Sequence, residues 1–275
     1  MAIISINNEW ADAETATVTT DNTIVTDGLG FYETFICKGD EPLLWRDHYD
    51  CILTAMRTLH FNTEALPQGY ELRRRIELLA RRNNYPAYSK VKMTVWQTAS
   101  DVEHIGWTLS MQRMETRPYV LERRPIIAHA FTEARVAPSA FTQVNTCSVV
   151  KAMARKAQKI NNWDVVLLTN IDGNVIGSPD DNIYAISNGK IFTPSLESGA
   201  QINALTKTLT DVCAEIGLPV IRISGLSPAF MRNASEIFLA GAANGLTPLY
   251  GFDEKRYLVS QIQDINTRIH DRLIF

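Results

Sequence analysis

The sequence predicts an α/β (α+β) chain of two domains, and three observations carry that reading. Short β-rich runs bounded by Gly, Asn, Asp and Pro alternate with stretches whose apolar residues recur at helical spacing. A charged segment with two prolines, Glu115–Pro125, interrupts this order, and proline extends neither a helix nor a central strand. The 275 residues suffice for two domains of about 120–150 residues each. These place a smaller N-terminal α/β domain at 1–117, a linker at 118–125 and a larger C-terminal domain at 126–275.

The first domain opens with a short strand, Ile3–Ile6, closed by Asn7-Asn8. Tyr32–Cys37 is rich in β-formers and ends at Lys38-Gly39-Asp40, a hairpin turn into Leu43–Trp45. From Asp47 the period becomes helical, with Ile52, Met56 and Leu59 on one stripe. A second helix starts near Pro67 with Leu72, Ile76 and Leu79 as its stripe, and Arg73, Arg74 and Arg75 beside it read as a solvated face. Val91, Met93 and Val95 alternate with Lys90, Lys92, Thr94 and Trp96, a half-buried strand with Trp107–Met111 as its neighbour.

The second domain opens with a strand over Pro125–Ala130. Val149, Val150, Met153, Ala157 and Ile160 form a helical stripe, with Lys151, Arg155, Lys156 and Lys159 off it. An apolar run, Asp164–Thr169, leads to the Asp172-Gly173 turn. A strand follows at Asn182–Ser187, then an Asn188-Gly189 turn and a strand ending at Thr193-Pro194, a hairpin pattern. The helix after Asn203 carries Leu205, Leu209, Val212, Cys213 and Ile216 and stops at Gly217, a C-cap signal. A further strand, the bend Gly241–Gly245 and a helix around Ile262–Ile269 complete the chain.

Composition narrows the function classes. The chain is 45% apolar and 21% charged, with net charge −3 and no basic block, which argues against a nucleic-acid partner. Cys37, Cys51, Cys147 and Cys213 lack zinc-site or Cys-x-x-Cys spacing, so they read as reduced thiols in a cytoplasmic protein without a metal site. The N-terminus lacks the basic start and apolar core of a signal peptide. No apolar run reaches about 18 residues, so no membrane span is expected.

Several motifs in order carry a family resemblance. They are Gly28–Phe35, Lys38-Gly39, His48-Tyr49, the Asp172-Gly173-Asn174 turn, Gly177-Ser178, Asn182-Ile183-Tyr184, Ile191–Pro194, Gly241-Ala242-Ala243 and Leu246-Thr247-Pro248. Together they resemble the class IV (fold type IV) pyridoxal-phosphate enzymes: branched-chain and D-amino acid aminotransferases and aminodeoxychorismate lyases. The resemblance implies the two-domain D-amino acid aminotransferase-like fold, with a C-terminal pseudo-barrel, a cleft between the domains and a homodimer.

Pyridoxal phosphate (PLP) chemistry needs a lysine for the Schiff base, a partner for the ring nitrogen and donors for the phosphate. Carried onto this sequence, the family's positions hold other residues. Its lysine falls on Gln143 or Val144, and Ala134–Ser148 contains no lysine; Lys151, the nearest, reads as solvated. Its ring-nitrogen glutamate falls on Ile176 or Gly177, and its phosphate arginine, three residues after His48, falls on Cys51. The hydroxyl of its Gly-Thr-Ala bend falls on Ala242, beside Ala243. Its helix-start motif reads Asn203-Ala204-Leu205-Thr206, where Thr206 and the backbone amides would still hold a small anion.

Lys92 occupies a strand position where such enzymes carry an arginine, so it is the candidate for a substrate carboxylate; as a bare strand residue it is a solvated lysine. His48 reads as a satisfied structural histidine and Cys51 as a small buried hydrophobe. Three readings of function remain. The first is a degenerate homologue that has lost lysine-dependent PLP catalysis, holds no cofactor in the family manner and binds something else, with a small anion or carboxylate as the candidate ligand, or only a protein partner. The second is a working PLP-dependent aminotransferase or lyase. The third is a cofactor-independent enzyme or binding protein reusing the cleft.

Overall fold

A computed structural model describes residues 2–20, 22–84, 87–98, 103–121 and 124–274. Glu122 and Arg123 of the charged segment lie outside the described residues. The chain divides into two compact units: Met1–Pro118 with Val144–Cys147, and Tyr119–Gln143 with Ser148–Phe275.

The first unit holds β1 (Ile3–Ile6), β2 (Glu9–Asp12), α1 (Thr23–Thr26), β3 (Gly30–Lys38), β4 (Glu41–Pro42), α2 (Trp45–Thr58), α3 (Gly69–Arg82), β5 (Tyr88–Gln97) and β6 (Ile105–Arg113). The strands form one antiparallel sheet in the order β2-β1-β6-β5-β3-β4. Alternation along β3 and β5 puts Phe31, Phe35, Val91, Met93 and Val95 on one buried face. The Phe35 ring meets Trp45 and His48 of α2. The opposite face carries Tyr32, Thr34, Lys92 and Thr94. The expected strand into Leu43–Trp45 stops at Pro42, because Leu44 adopts a left-handed φ of 52° and Trp45 already opens α2. Strand β2 and helix α1 had no counterpart in the sequence reading.

The second unit holds β7 (Ile127–Ala130), α4 (Val149–Ile160), β8 (Val165–Thr169), β9 (Val175–Gly177), β10 (Asn182–Ser187), β11 (Lys190–Pro194), α5 (Leu205–Glu215), β12 (Val220–Ile223), α6 (Pro228–Asn233), β13 (Glu236–Gly241), β14 (Gly245–Leu249), β15 (Gly251–Phe252), β16 (Lys255–Arg256) and α7 (Ser260–Ile274). The sheet runs β12-β11-β10-β9-β8-β7-β15-β16, with β13 joined to β10 and β14 to β13. Ala128, Leu167, Val175, Ile183, Ala185, Ile237, Leu239, Leu249 and Phe252 converge from seven strands into one apolar cluster. A sheet whose inner residues meet in one cluster has curled into a half-barrel. The Asn188-Gly189 turn takes positive φ at both residues, 49° and 69°, the backbone that a two-residue hairpin needs.

Helix α4 corrects the sequence reading. Its buried face is Lys151, Ala154 and Ala157, while Val149 (78% exposed), Met153 and Ile160 point to solvent. Ala154 and Ala157 pack with Val166 and Leu168 of β8 and Ile176 of β9. Small residues let the helix lie close to the strands, and that decides the face against the larger apolar side chains. Lys151 is therefore not solvated: it is 6% exposed.

Candidate functional site

The second unit carries a cavity of about 180 Å³ between the start of α5 and the outer face of β10–β12. Alternation selects its walls. Ile183, Phe192 and Ile223 pack toward the half-barrel core. Their neighbours Asn182, Tyr184, Thr193 and Arg222 consequently face the other way and line the cavity. Pro194, Leu196, Ala200, Gln201, Ile202, Asn203 and Thr206 complete it.

Its polar groups are mostly committed to one another. The Thr193 hydroxyl donates to the Ile183 carbonyl at 2.8 Å, and the Tyr184 side chain shares the cavity wall with Thr193 and Thr206. Burial pushes the Tyr184 phenol up to about 12, against the pull of Thr206 and Arg222. Asn182 clamps the loop before α5: its Nδ2 donates to the Gln201 carbonyl at 2.8 Å, and its Oδ1 accepts the Gln201 N–H at 3.1 Å. Asn203 Oδ1 accepts the Leu205 N–H at 2.9 Å, satisfying the first N–H of α5 from two residues upstream. Oε1 of Gln201 is shielded from solvent and unpartnered.

The positions that the resemblance assigned to the cofactor distribute as follows. Asn203 and Thr206 line the cavity. Ala204 and Leu205 are buried, at 3% and 1% exposure. Ala242 is buried, and its carbonyl accepts the Tyr119 hydroxyl at 2.7 Å; Ala243 is half-buried. Beside them the Asp181 carboxylate lies against Gly241, where a Cβ would have no room, and is held by the Asn244 amide at 3.0 Å. Ile176 packs into the apolar cluster under α4. Gly177 has φ +151°, and a Cβ there would stand 2.6 Å from the Asp181 carbonyl oxygen. The Gln143 carbonyl accepts the Ile202 N–H at 2.8 Å.

In the first unit, Val144 is buried. Cys51 is half-buried, and its thiol is pushed up, first by burial and then by the charge of Glu33, so it stays neutral. His48 Nδ1 donates to Glu33 Oε1 at 2.6 Å, a buried pair that no local sequence signal disclosed. Lys92 is exposed, with Nζ 4.6 Å from the centre of the Tyr32 ring. Among the described residues no group of acids, histidines and cysteines is arranged to hold a metal. Nor is any helix there long and apolar enough to cross a membrane.

A two-unit chain with an antiparallel sheet in one and a half-barrel in the other defines a fold-type-IV protein. The family model for class IV aminotransferases matches residues 30–250, and the chain belongs to that family. A "Probable branched-chain-amino-acid aminotransferase" of Synechocystis sp. is 23% identical over 107 residues, 39% of this chain. The match spans 35% of that protein, well short of its whole length. The branched-chain aminotransferase of Thermoproteus uzoniensis, solved with norvaline, superposes with a TM-score of 0.85 at 18% identity, covering 98% of this chain and 93% of that one. A hypothetical aminotransferase from Mycobacterium tuberculosis, in a PLP-bound form, gives 0.85 at 13% identity and 99% coverage of both chains. At such identities these structures speak for the fold alone.

Proposed function

We propose that this class IV aminotransferase homologue has lost lysine-dependent PLP catalysis and serves as a binding protein for a small anionic metabolite. The observation that carries the reading is Gly177. A ring-nitrogen acid there would need a side chain on a φ +151° backbone with the Asp181 carbonyl 2.6 Å from its Cβ. Ile176, the other candidate position, is spent on core packing.

The remaining positions agree. Gln143 and Val144 offer no amine. Cys51 offers a neutral thiol in place of a guanidinium fork. Ala242 has no hydroxyl, and Asp181 sets a carboxylate beside it. The first N–H of α5 is taken by Asn203. These residues do not fit PLP held in the family manner. The four free cysteines support a cytoplasmic protein, and the family resemblance supports a homodimer.

A second reading, a working PLP-dependent branched-chain aminotransferase, has two supports: the activity named for the relatives, and the burial of Lys151, which sets it apart from a solvated lysine. Titration of the purified protein with PLP separates the two. The first reading expects no visible Schiff-base band and no transamination of L-leucine or D-alanine. A band bleached by borohydride, with the reduced adduct mapped to Lys151, would establish the second.

A further inference from the structure

We infer that Arg75 and Arg82, gathered over the ring of Trp10, form a binding site for a phosphate dianion, free or as a monoester. The site lies wholly within the first unit and uses none of the positions assigned to the cofactor, so it stands whether or not PLP binds.

Local structure builds it. Ser5 of β1 and Trp10 of β2 are paired across the hairpin, so their side chains stand on one face. Ser5 is fully buried, and α3 packs against β1. Arg75 and Arg82 are seven residues apart on α3, two turns, and so share one side of the helix. The Arg75 guanidinium lies 3.6 Å from the centre of the Trp10 ring, and that of Arg82 4.7 Å from it. Arg75 is fixed in place: its Nε donates to Ser5 Oγ at 2.9 Å, and its Nη2 donates to the Asn8 carbonyl.

The arginines of α3 differ in how their charge is met. Arg73 pairs with Glu41 and Glu77, and Arg81 pairs with Asp40. Arg74, Arg75 and Arg82 form no ion pair within 4.0 Å among the described residues. The acid that shares the Trp10 face is Asp12, two residues along β2. Its Oδ1 accepts the Glu14 N–H at 3.0 Å, and it pairs with neither arginine. Burial, and then the like charge of Arg82, hold the Arg75 guanidinium below its ordinary pKa, and no carboxylate acts against them. Stacking on the indole holds the two cations together without neutralising either.

The unmet charge selects the ligand. A carboxylate would answer one guanidinium. A phosphate dianion carries two charges and three acceptor oxygens, so both forks can engage it. Arg75 keeps its Nη1 for this, and Arg82 keeps its whole fork. Arg82 is exposed and Trp10 half-buried, so the ligand reaches them from solvent.

The test follows the indole N–H resonance of Trp10 in the isotope-labelled protein. Its loss in Trp10→Phe identifies it among the five tryptophans. Methyl phosphate, inorganic phosphate and dimethyl phosphate are titrated at constant ionic strength, about two pH units above the second ionisation of a phosphomonoester at ~6. Methyl phosphate is expected to shift the resonance saturably. Arg82→Gln should weaken it about tenfold, the loss of one charge-assisted contact. Arg74→Gln removes the same charge beside Arg75 but away from the ring, and should change the affinity by less than about twofold. Dimethyl phosphate, a monoanion, should bind at least about fivefold more weakly. Because Arg82 is exposed, its replacement does not threaten folding. Tighter binding of methyl phosphate than of inorganic phosphate assigns the site to a phosphorylated metabolite; equal or tighter binding of inorganic phosphate assigns it to the free anion. The inference is overturned if neither phosphate moves the resonance saturably. It is also overturned if Arg74→Gln weakens binding as much as Arg82→Gln, which would leave only the general field of the helix, or if dimethyl phosphate binds as tightly as methyl phosphate.

Discussion

Asn203 Oδ1 stands 2.9 Å from the Leu205 nitrogen, so the first N–H of α5 is taken by a side chain that precedes the helix. A helix start is an anion site only while its N–H groups point at the ligand. Here one of them is satisfied internally, by Asn203 of the helix-start motif. An anion at this helix start must displace the amide.

Asn203→Gly removes the side-chain acceptor of the Leu205 N–H and is expected to cost about 0.5–1.5 kcal/mol. It should open the helix start to phosphate. Thermal melts in phosphate against chloride at matched ionic strength check this. The variant should gain more from phosphate than the wild type does. Equal gains would show that Asn203 does not block the cup.

A second expectation concerns Glu33 and His48. Their side chains are 11% and 1% exposed, and the 2.6 Å hydrogen bond is packed beside Phe35. Removing one partner strands the other in an apolar setting, at a cost of about 3–5 kcal/mol. Glu33→Ala should show that loss in urea unfolding. Glu33→Gln keeps an acceptor for the Nδ1–H and should lose only about 1–2 kcal/mol. If the two variants are equally stable, the pair does not hold α2 to β3.

Asp164 ties the entry of β8 to the strand beside it. Its Oδ2 accepts the Ile127 N–H at 3.0 Å and its Oδ1 pairs with Arg124 at 2.5 Å. The Ile127 N–H and then Arg124 hold the carboxyl below its ordinary range. A lowered folded value means the stabilisation is complete above the ordinary carboxylate pKa of about 3.9 and is lost as pH falls through the folded value. Asp164→Asn should lower Tm by about 2–4 °C at neutral pH, and the gap to wild type should begin to narrow only as pH falls below about 4. A gap independent of pH would assign the effect to shape rather than charge.

Much of the fold was legible because its signals are local. Asn188-Gly189 specifies a hairpin by backbone chemistry alone, and Val91, Met93 and Val95 reveal a half-buried strand by alternation. Helix α4 was misread in part because side-chain size competes with packing distance: Val149, Met153 and Ile160 look like a core stripe, yet the side chains that pack under β8 and β9 are Ala154, Ala157 and, in part, Val150. The cavity was not legible. Arg222 sits between isoleucines as any solvated edge-strand residue would, and Tyr184 and Thr206 are neighbours only after α5 folds over β10. The Glu33–His48 pair is likewise a product of tertiary structure, since fifteen residues and a hairpin separate its members.

Restoring the family residues is expected to fail, and the reason is local geometry. Cys51→Arg, Val144→Lys, Gly177→Glu and Ala242→Thr would together return a guanidinium, an amine, an acid and a hydroxyl. Gly177→Glu alone meets the Asp181 carbonyl and a strained φ, about 1–3 kcal/mol for the backbone and a similar amount for the crowding. Val144→Lys places an amine at a buried position, where it is costly until paired. Ala242→Thr crowds a residue that is 3% exposed and whose carbonyl is already bound by Tyr119. Supporting contacts must hold reacting groups to about 0.5 Å, and the four changes rebuild none of them. Single revertants should bind no PLP, and the quadruple variant should be destabilised and turn over poorly. Urea unfolding, PLP titration and transamination of L-leucine and D-alanine measure each part. Gly177→Ala is the control for the backbone claim: if it is as stable as wild type, the obstacle at this position is not steric. If any single revertant transaminates, the loss of function lies in one residue and not in the surroundings that the four share.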